Sequence, residues 1–136
     1  MLKGFEHIGM AVSDLDKSIA FYVDLLGMSL ILRKDIPRGP GEVAFVDTGH
    51  GGGQLELICP SPAVAKPAPQ LPDTRAGIRH LTFAFENIDA MWDKLMAAGV
   101  EPVEKPRDAF NKEMLARVAF VLDPDGIIIE LAQRNS

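Results

Sequence analysis

The chain is poor in cysteine, since Cys59 is the only one among 136 residues. A single thiol cannot form an intrachain disulfide, so a disulfide-built fold is excluded and a reducing, cytoplasmic location is expected. Long apolar runs are also lacking, because no stretch approaches the roughly 20 residues of a membrane-spanning helix. The first residues, MLKGFEH, lack the apolar segment of a secretory signal. We therefore expect neither a signal peptide nor a membrane partner.

Positive charge is in deficit as well. The chain has 14 Lys and Arg against 19 Asp and Glu, which gives a formal net charge of −5. No basic stripe interrupts this balance, which argues against nucleic acid and against an anionic membrane surface as partners. Apolar residues make up 47% of the chain, enough for an ordinary core, and the length suits one domain. The composition predicts a single soluble domain.

What the chain does contain is an internal repeat around two histidines and two glutamates. A shift of 73 residues places His7 on His80, and a shift of 74 places Glu56 on Glu130. Around each histidine, a strand-like run is followed by a polar pair and a helical pattern that ends at glycine. We expect two equivalent modules, 1–60 and 78–136. The proline-rich stretch 61–77 cannot form a regular element and is expected to connect them.

Each module has the order βαβββ, which predicts an α+β fold of two tandem modules. Strand-like runs after the helices fall at 28–33, 42–47 and 54–59 in the first module, and at 100–103, 116–122 and 127–133 in the second. The expected N-caps are Ser13 and Asn87. The first helix is expected to bury one face, made of Leu15, Ile19, Val23 and Leu26.

Strand alternation gives the four repeated residues the same kind of face. Successive side chains of a strand point to opposite sides, so the large apolar residues can pack on the helices while the histidines and glutamates share the other side. This side should leave room for a substrate, because its other residues are mostly small. The small residues beside the histidines are Gly9 and Ala11 in the first module, and Thr82 and Ala84 in the second.

Two imidazoles and two carboxylates form a mixed nitrogen and oxygen set that suits a first-row transition metal. Gln54 shares a strand face with Glu56 and is its main rival, but the repeat register favours Glu56. His50 has no partner in the repeat and is expected to be a loop residue. Cys59 falls on the opposite strand face and is assigned no chemistry.

The chain resembles the vicinal-oxygen-chelate superfamily, also called the glyoxalase/bleomycin-resistance/dioxygenase fold, over nearly its whole length. The matching pieces are HIGMAVSDLDKSIAFYVDLLGM, QLELI, GIRHLTFAFENIDAMWDKL and DPDGIIIEL. The resemblance implies two βαβββ modules whose mixed sheets curl around one divalent metal ion, commonly in a homodimer. Carried over residue by residue, its metal ligands are His7, Glu56, His80 and Glu130. The ion would be Ni, Co, Zn, Mn or Fe.

Similarity to glyoxalase I and to methylmalonyl-CoA epimerase implies metal-assisted proton transfer next to a carbonyl through an enediolate or enolate. Glu130 and Glu56 are the candidate acid/base residues, and neither is favoured as the principal base. The substrate would be a small α-oxo or acyl-thioester compound. We expect a glyoxalase I-like lyase or isomerase, with an epimerase-like enzyme as the alternative.

Two positions depart from the glyoxalase I pattern and leave the thiol carrier open. Ala11 stands where that subgroup has an arginine for the glutathione carboxylate, and Pro60 where it has an asparagine. The epimerase subgroup, in turn, usually has glutamine at the Glu56 position. Further alternatives are an extradiol-type dioxygenase, which uses two histidines and one carboxylate, and a metal-free binding or resistance protein. The four-residue ligand set counts against both.

Residues that would hold an anionic carrier are less sharply predicted. Residues 105–115 are interpreted either as a loop that covers the site or as a plain surface connection. The basic candidates, each of which is equally well an ordinary surface charge, are Arg33, Lys34, Arg38, Arg75, Arg79 and Lys112.

Overall fold

The structure, a computed structural model, describes residues 1–37, 39–61 and 76–136. The chain divides into two compact units, Met1–Lys66 and Pro67–Ser136. Most of the connector predicted at 61–77 lies outside the described residues, and the assignment of both modules to one domain stays a prediction. No helix of the described residues is long and apolar enough to cross a membrane.

The first unit contains one mixed four-stranded sheet. Its strands are β1 (His7–Ala11), β2 (Ser29–Asp35), β3 (Gly41–Asp47) and β4 (Gln54–Pro60). Strand β1 lies parallel to β4, whereas β4 with β3 and β3 with β2 are antiparallel, in the order β1-β4-β3-β2. Helix α1 (Leu15–Ile19) continues as a π-helical segment (Ala20–Leu25), and α1 packs on β3 and β4.

The second unit repeats this topology. Its strands are β5 (Leu81–Ala84), β6 (Pro102–Asp108), β7 (Leu115–Leu122) and β8 (Ile128–Arg134). The sheet has the order β5-β8-β7-β6, with β5 parallel to β8 and the other neighbours antiparallel. Helix α2 (Ile88–Ala97) packs on β6, β7 and β8. The α+β class and the βαβββ order of both modules are thereby confirmed.

The least accurate strand prediction concerns β6. A strand was expected at 100–103 and a loop at 105–115, but β6 runs through Asp108 and β7 already begins at Leu115. The reason is that β6 lies at the sheet edge and is mostly exposed, so burial imposes no apolar alternation on it. Its charged residues and prolines are typical of an edge strand.

Of the two predicted N-cap residues, one is wrong and one is confirmed. The prediction of Ser13 is wrong, because the N-cap is Asp14, whose Oδ1 accepts a hydrogen bond from the backbone N–H of Lys17 at 3.1 Å. Asn87 is confirmed, with its Oδ1 accepting from the N–H of Ala90 at 3.0 Å. Serine and aspartate cap equally well, so two adjacent candidates cannot be ranked by residue type.

The first helix does not bury the whole face that its sequence period predicts. Ile19 and Val23 are only half-buried, whereas Phe21 and Tyr22 lie in the core. The cause is the π-helical segment Ala20–Leu25, since each π-turn takes one more residue than an α-turn and rotates the following side chains. A strict 3.6-residue period therefore selects the wrong positions here.

The same helix buries the hydroxyl of Ser18. Removing this hydroxyl is expected to stabilise the fold. Ser18 is fully buried, and its Oγ has no hydrogen-bond partner among the described residues. An unpaired buried polar group costs about 1–3 kcal/mol, and alanine also has the higher helix propensity. Ser18→Ala is expected to raise the free energy of unfolding by about 1 kcal/mol in urea titrations. The exposed neighbour variant Lys17→Ala should stay within about 0.5 kcal/mol of the parent, and a less stable Ser18→Ala would contradict this account.

In each unit, an arginine of the sheet forms a hydrogen-bonded ion pair with an aspartate at the start of the helix. In the first unit, Arg33 donates to Asp16 at 2.7 Å and to both carboxylate oxygens of Glu42 at 3.1 and 2.9 Å. In the second unit, Arg117 donates to both oxygens of Asp89 at 2.9 and 2.8 Å. Hydrogen bonding to arginine lowers the pKa of Glu42 and that of Asp89 below their ordinary values.

This lowering predicts a loss of stability in acid. A carboxyl whose folded pKa is depressed stabilises the fold above its unfolded pKa of about 4, and this contribution disappears as the pH falls through the lower folded value. We expect the thermal midpoint of Asp89→Asn to depend less on pH than the parent's below about pH 5. Asp93→Asn, an exposed carboxylate on the same helix, is the charge-matched control. Equal pH profiles for Asp89→Asn and the parent would contradict the expectation.

Candidate metal centre

In the first module, neighbouring parallel strands bring His7 and Glu56 together. Gly9 lies opposite Glu56 in the β1–β4 register, and His7 precedes Gly9 by two residues, which puts all three on one sheet face. His7 Nε2 lies 3.9 Å from Glu56 Oε1. Met10 on β1 and Leu57 on β4 are buried on the other face. The predicted strand alternation is confirmed for this pair.

In the second module, the equivalent pair is closer. Thr82 on β5 lies opposite Glu130 on β8, and His80 immediately precedes β5. His80 Nε2 lies 3.1 Å from Glu130 Oε1, and the glutamate side chain is 14% exposed against 29% for its counterpart Glu56. Ile129 and Leu131, the strand neighbours of Glu130, are fully buried on the opposite face.

The turn before β8 sets the start of the strand that carries Glu130. In the DPDG sequence, Asp123 Oδ1 accepts hydrogen bonds from the backbone N–H groups of Asp125 and Ile127, at 2.9 Å each. Gly126 has a φ of 87°, which glycine adopts without strain. The motif is therefore a structural turn whose role toward the site is to position β8.

Each histidine also contacts a phenylalanine that the sequence interpretation missed. The ring of His7 lies edge-on to Phe45, and that of His80 edge-on to Phe120, with ring centroids 5.7 Å apart in both cases. Each phenylalanine lies opposite the local glutamate in the sheet register. The expectation of mostly small neighbours is thus incomplete, since an aromatic ring bounds each pair. The near-equivalent spacing of the two phenylalanines in the repeat was the available signal.

His7 has a further contact through its other ring nitrogen. Its Nδ1 lies 3.2 Å from Glu6 Oε1. If Nδ1 carries the proton and donates it in a hydrogen bond to Glu6, Nε2 is unprotonated. Nε2, which is the nitrogen nearer Glu56, can then coordinate a metal. Because Glu6 is 85% exposed, this contact orients the imidazole only weakly.

The two glutamates differ in their neighbours. Thr82 Oγ1 donates a hydrogen bond of 2.7 Å to Glu130 Oε1. The position equivalent to Thr82 in the repeat is Gly9, which has no side chain. A Cβ added at Gly9 would lie 3.3 Å from Glu56 Oε1. From the sequence, Gly9 and Thr82 are both predicted only to be small residues of this face, so the difference between them is not predicted.

The donor set fits a divalent transition metal. Ligands bound at about 2.1 Å on adjacent corners of an octahedron lie about 3 Å apart, and the His80–Glu130 separation is 3.1 Å. The His7–Glu56 separation of 3.9 Å is wider, and a modest side-chain movement would adjust it. Among the described residues, no three or more His, Cys, Asp or Glu side chains are grouped as a metal site. Binding of one ion by all four residues therefore stays a prediction.

The rival positions have other structural roles. Gln54 Nε2 donates to Asp47 Oδ2 at 2.9 Å, and this bond, together with the N–H of Gly49, lowers the pKa of Asp47. His50 is exposed in the glycine turn with a φ of 53°, which confirms it as a loop residue. Cys59 is half-buried on β4.

The basic candidates for an anionic carrier divide into three groups. Arg33 is held by two carboxylates, so it is not available for a carrier in this arrangement. Lys34 and Lys112 are exposed, and Arg79 is half-buried. Arg38 and Arg75 lie outside the described residues.

Comparison with known proteins decides the family. The model of the Glyoxalase/Bleomycin resistance protein/Dioxygenase superfamily matches residues 4–131. The chain belongs to this superfamily. A probable lactoylglutathione lyase of Synechocystis is 35% identical to it over 130 residues, covering 96% of this chain and 95% of the relative. A probable lactoylglutathione lyase of Vibrio cholerae is 34% identical over 133 residues, covering 95% of this chain and 89% of the relative.

A solved structure agrees with these relatives. The glyoxalase I of Leishmania major, described as trypanothione-dependent, has a TM-score of 0.76 and 26% sequence identity, covering 93% of this chain and 84% of that one. The predicted enzyme class is confirmed by these similarities, and this superfamily member is a glyoxalase I-like enzyme.

Proposed function

We propose that this glyoxalase-superfamily enzyme is a metal-dependent lyase or isomerase in which His7, Glu56, His80 and Glu130 bind one divalent ion. The observation that carries the proposal is the repetition of one arrangement. Each module sets a histidine beside a glutamate on one sheet face, next to a phenylalanine ring. A structural sheet has no need of the same mixed donor pair at both equivalent positions. The proposed ion is Ni, Co, Zn, Mn or Fe.

The four side chains would bind the ion, and the glutamates would move the proton. When bound, the ion stabilises the negative charge that develops on a carbonyl oxygen as the neighbouring carbon loses its proton. A carboxylate is suited to take a proton from one carbon and return it to the next. Glu56 and Glu130 occupy equivalent positions in the two modules, so each is a candidate for this proton transfer.

The proposed substrate is a small α-oxo compound joined to a thiol carrier. The names of the Synechocystis and Vibrio relatives favour a glutathione adduct, whereas the Leishmania enzyme depends on trypanothione. Because Ala11 and Pro60 replace the residues that would favour glutathione, trypanothione is tested as a carrier beside it. An acyl-thioester of the methylmalonyl-CoA type is the second substrate class to test. We further propose that the enzyme works as a single-domain chain in a cytoplasmic homodimer, without nucleic acid or membrane partners.

One experiment separates these activities. Metal-loaded protein is incubated in deuterated solvent with the methylglyoxal hemithioacetal of glutathione, with that of trypanothione, or with methylmalonyl-CoA. Deuterium in the product is measured together with turnover. We expect turnover of at least one hemithioacetal with solvent deuterium at the carbon next to the carbonyl. Turnover of methylmalonyl-CoA alone would support the epimerase alternative. Oxygen uptake with a catechol, or binding without turnover of any of the three compounds, would overturn the proposal.

A further inference from the structure

The sheet face that carries the His7–Glu56 pair also carries a lysine. Lys34 on β2 lies opposite Val43 on β3, and Val43 lies opposite Ile58, two residues beyond Glu56 on β4. Residues opposite each other on neighbouring strands share one face, as do residues two apart along a strand. Lys34 is therefore on the face of the candidate metal ligands. With strands about 4.8 Å apart and about 3.3 Å per residue, its Cα lies roughly 12 Å from that of Glu56.

The second sheet carries a basic residue at the equivalent position, but a carboxylate of the same strand pairs with it. Arg107 on β6 corresponds to Lys34, and Glu104 corresponds to Leu32, because each lies opposite the same residue type, valine or phenylalanine, on the neighbouring strand. Arg107 Nε donates a hydrogen bond to Glu104 Oε1, so this guanidinium already has an anionic partner. In the first sheet, Leu32 supplies no charge, and Lys34 forms no ion pair with any described residue. The ammonium of Lys34 is therefore available to an anionic ligand.

The surface between Lys34 and the His7–Glu56 pair is apolar. The other charged residues of β2, Arg33 and Asp35, alternate with Lys34 and point to the opposite face. Peptide amides laid on an apolar surface would lose hydrogen bonds to water without gaining others, whereas a hydrocarbon segment would gain burial. This surface therefore suits a hydrocarbon segment better than a peptide. Its side chains are Leu32, Val43, Phe45 and Ile58.

We propose that Lys34 selects substrates in which the carbonyl bears a hydrocarbon segment ending in a carboxylate. Lys34 binds this carboxylate while the carbonyl lies at the His7–Glu56 pair. The inference rests on the proposed function and names its substrate class, the thiol adduct of an α-oxoaldehyde with an anionic end. Because the flexible four-carbon stem of Lys34 reaches along the apolar surface, a segment of a few carbon atoms spans the distance. Lys34 binds the substrate and takes no part in the proton transfer.

Two matched substrates test the proposal. The first is pentanoate with an aldehyde and an adjacent ketone at the end opposite its carboxylate, and the second is the methyl ester of that compound. Both have the same reacting group, and only the first has the negative charge. Each is presented as the adduct of the thiol with which the parent turns over methylglyoxal. The measured quantity is the preference for the acid, the ratio of kcat/KM for the acid to kcat/KM for the ester.

The variants change the charge at Lys34 in two independent ways. Lys34→Gln removes the ammonium, and Lys34→Arg keeps a positive charge. Leu32→Glu leaves the lysine in place but gives it the carboxylate that Arg107 has in the second sheet. Lys17→Gln, an exposed lysine on helix α1 at the other face of this sheet, is the control for loss of a charge. Melting curves establish that each variant is folded.

We expect the parent, Lys34→Arg and Lys17→Gln to prefer the acid by about tenfold or more, the effect of one charge-assisted hydrogen bond. In Lys34→Gln and in Leu32→Glu the preference should fall to about twofold or less, mainly through a higher KM for the acid. No preference in the parent, or a preference that survives in either of these two variants, would overturn the inference. Equal losses for acid and ester in Lys34→Gln, as contact with the thiol carrier would give, would overturn it as well. Failure of the parent to turn over any methylglyoxal adduct would instead overturn the proposed function, so the two failures are distinguishable.

Discussion

Glu56→Gln is expected to lower kcat by about 100- to 10,000-fold, the usual contribution of a general acid–base group, while the divalent ion stays bound. The amide oxygen of glutamine can still coordinate a metal, but the amide cannot accept and return a proton. Glu56 is the less restrained carboxylate, with Gly9 beside it and His7 at 3.9 Å. The measurement is kcat together with the rate at which solvent deuterium enters the substrate.

Glu130→Gln is the variant with which Glu56→Gln is compared, in metal binding and in activity. Because Glu130 is held by Thr82 and lies 3.1 Å from His80, its replacement should weaken metal binding as well as activity. Glu113→Gln, at an exposed turn position, controls for loss of a carboxylate elsewhere and should behave as the parent. Full exchange activity in Glu56→Gln with none in Glu130→Gln would contradict the acid/base role of Glu56 and leave Glu130 as the acid/base residue.

His80→Ala is expected to reduce affinity for a divalent metal by more than about 100-fold, since outer partners of a ligand alone contribute about 10- to 100-fold. Activity should fall with it. His50→Asn provides the histidine control, because His50 lies in an exposed turn at positive φ, a conformation that asparagine tolerates. Binding is measured by calorimetry on metal-free protein. Unchanged affinity in His80→Ala would remove the second module from the metal site.

The placement of both His–Glu pairs was predictable from the sequence because strand parity leaves little freedom. In a strand with one buried face, a shift of one residue would expose the apolar set, so Leu55 and Leu57 fix the side on which Glu56 points. The same holds for Ile129 and Leu131 around Glu130. The repeat then pairs each strand with its counterpart, and the comparisons with known proteins confirm the family.

Contacts made across strands were not predictable in the same way. The hydrogen bond from Thr82 to Glu130 and the edge-on contacts of Phe45 and Phe120 depend on the register between strands, which the sequence of one strand does not state. The ion pairs of Arg33 and Arg117 with the helix starts join residues far apart in the chain. Their partner choice follows from the assembled sheet rather than from local spacing.

The errors of local prediction have local causes. Asp14 replaced Ser13 as the N-cap because both residue types satisfy the same backbone donors. The π-helical segment Ala20–Leu25 altered the buried face of the first helix, and a period of 3.6 residues contains no sign of it. Strand β6 (Pro102–Asp108) lies at the sheet edge, where its mostly polar, exposed residues lack the apolar alternation by which a strand is predicted.

The central claim is that one divalent ion is bound by both His–Glu pairs, and the number of ions per chain tests it most directly. Metal content of purified, metal-loaded protein is determined by mass spectrometry against protein concentration, for the parent, His7→Ala and His80→Ala. We predict one ion per chain in the parent and nearly none in either variant, whether the modules that share an ion come from one chain or from two. Two ions per chain in the parent, or retention of the ion in either variant, would contradict the claim.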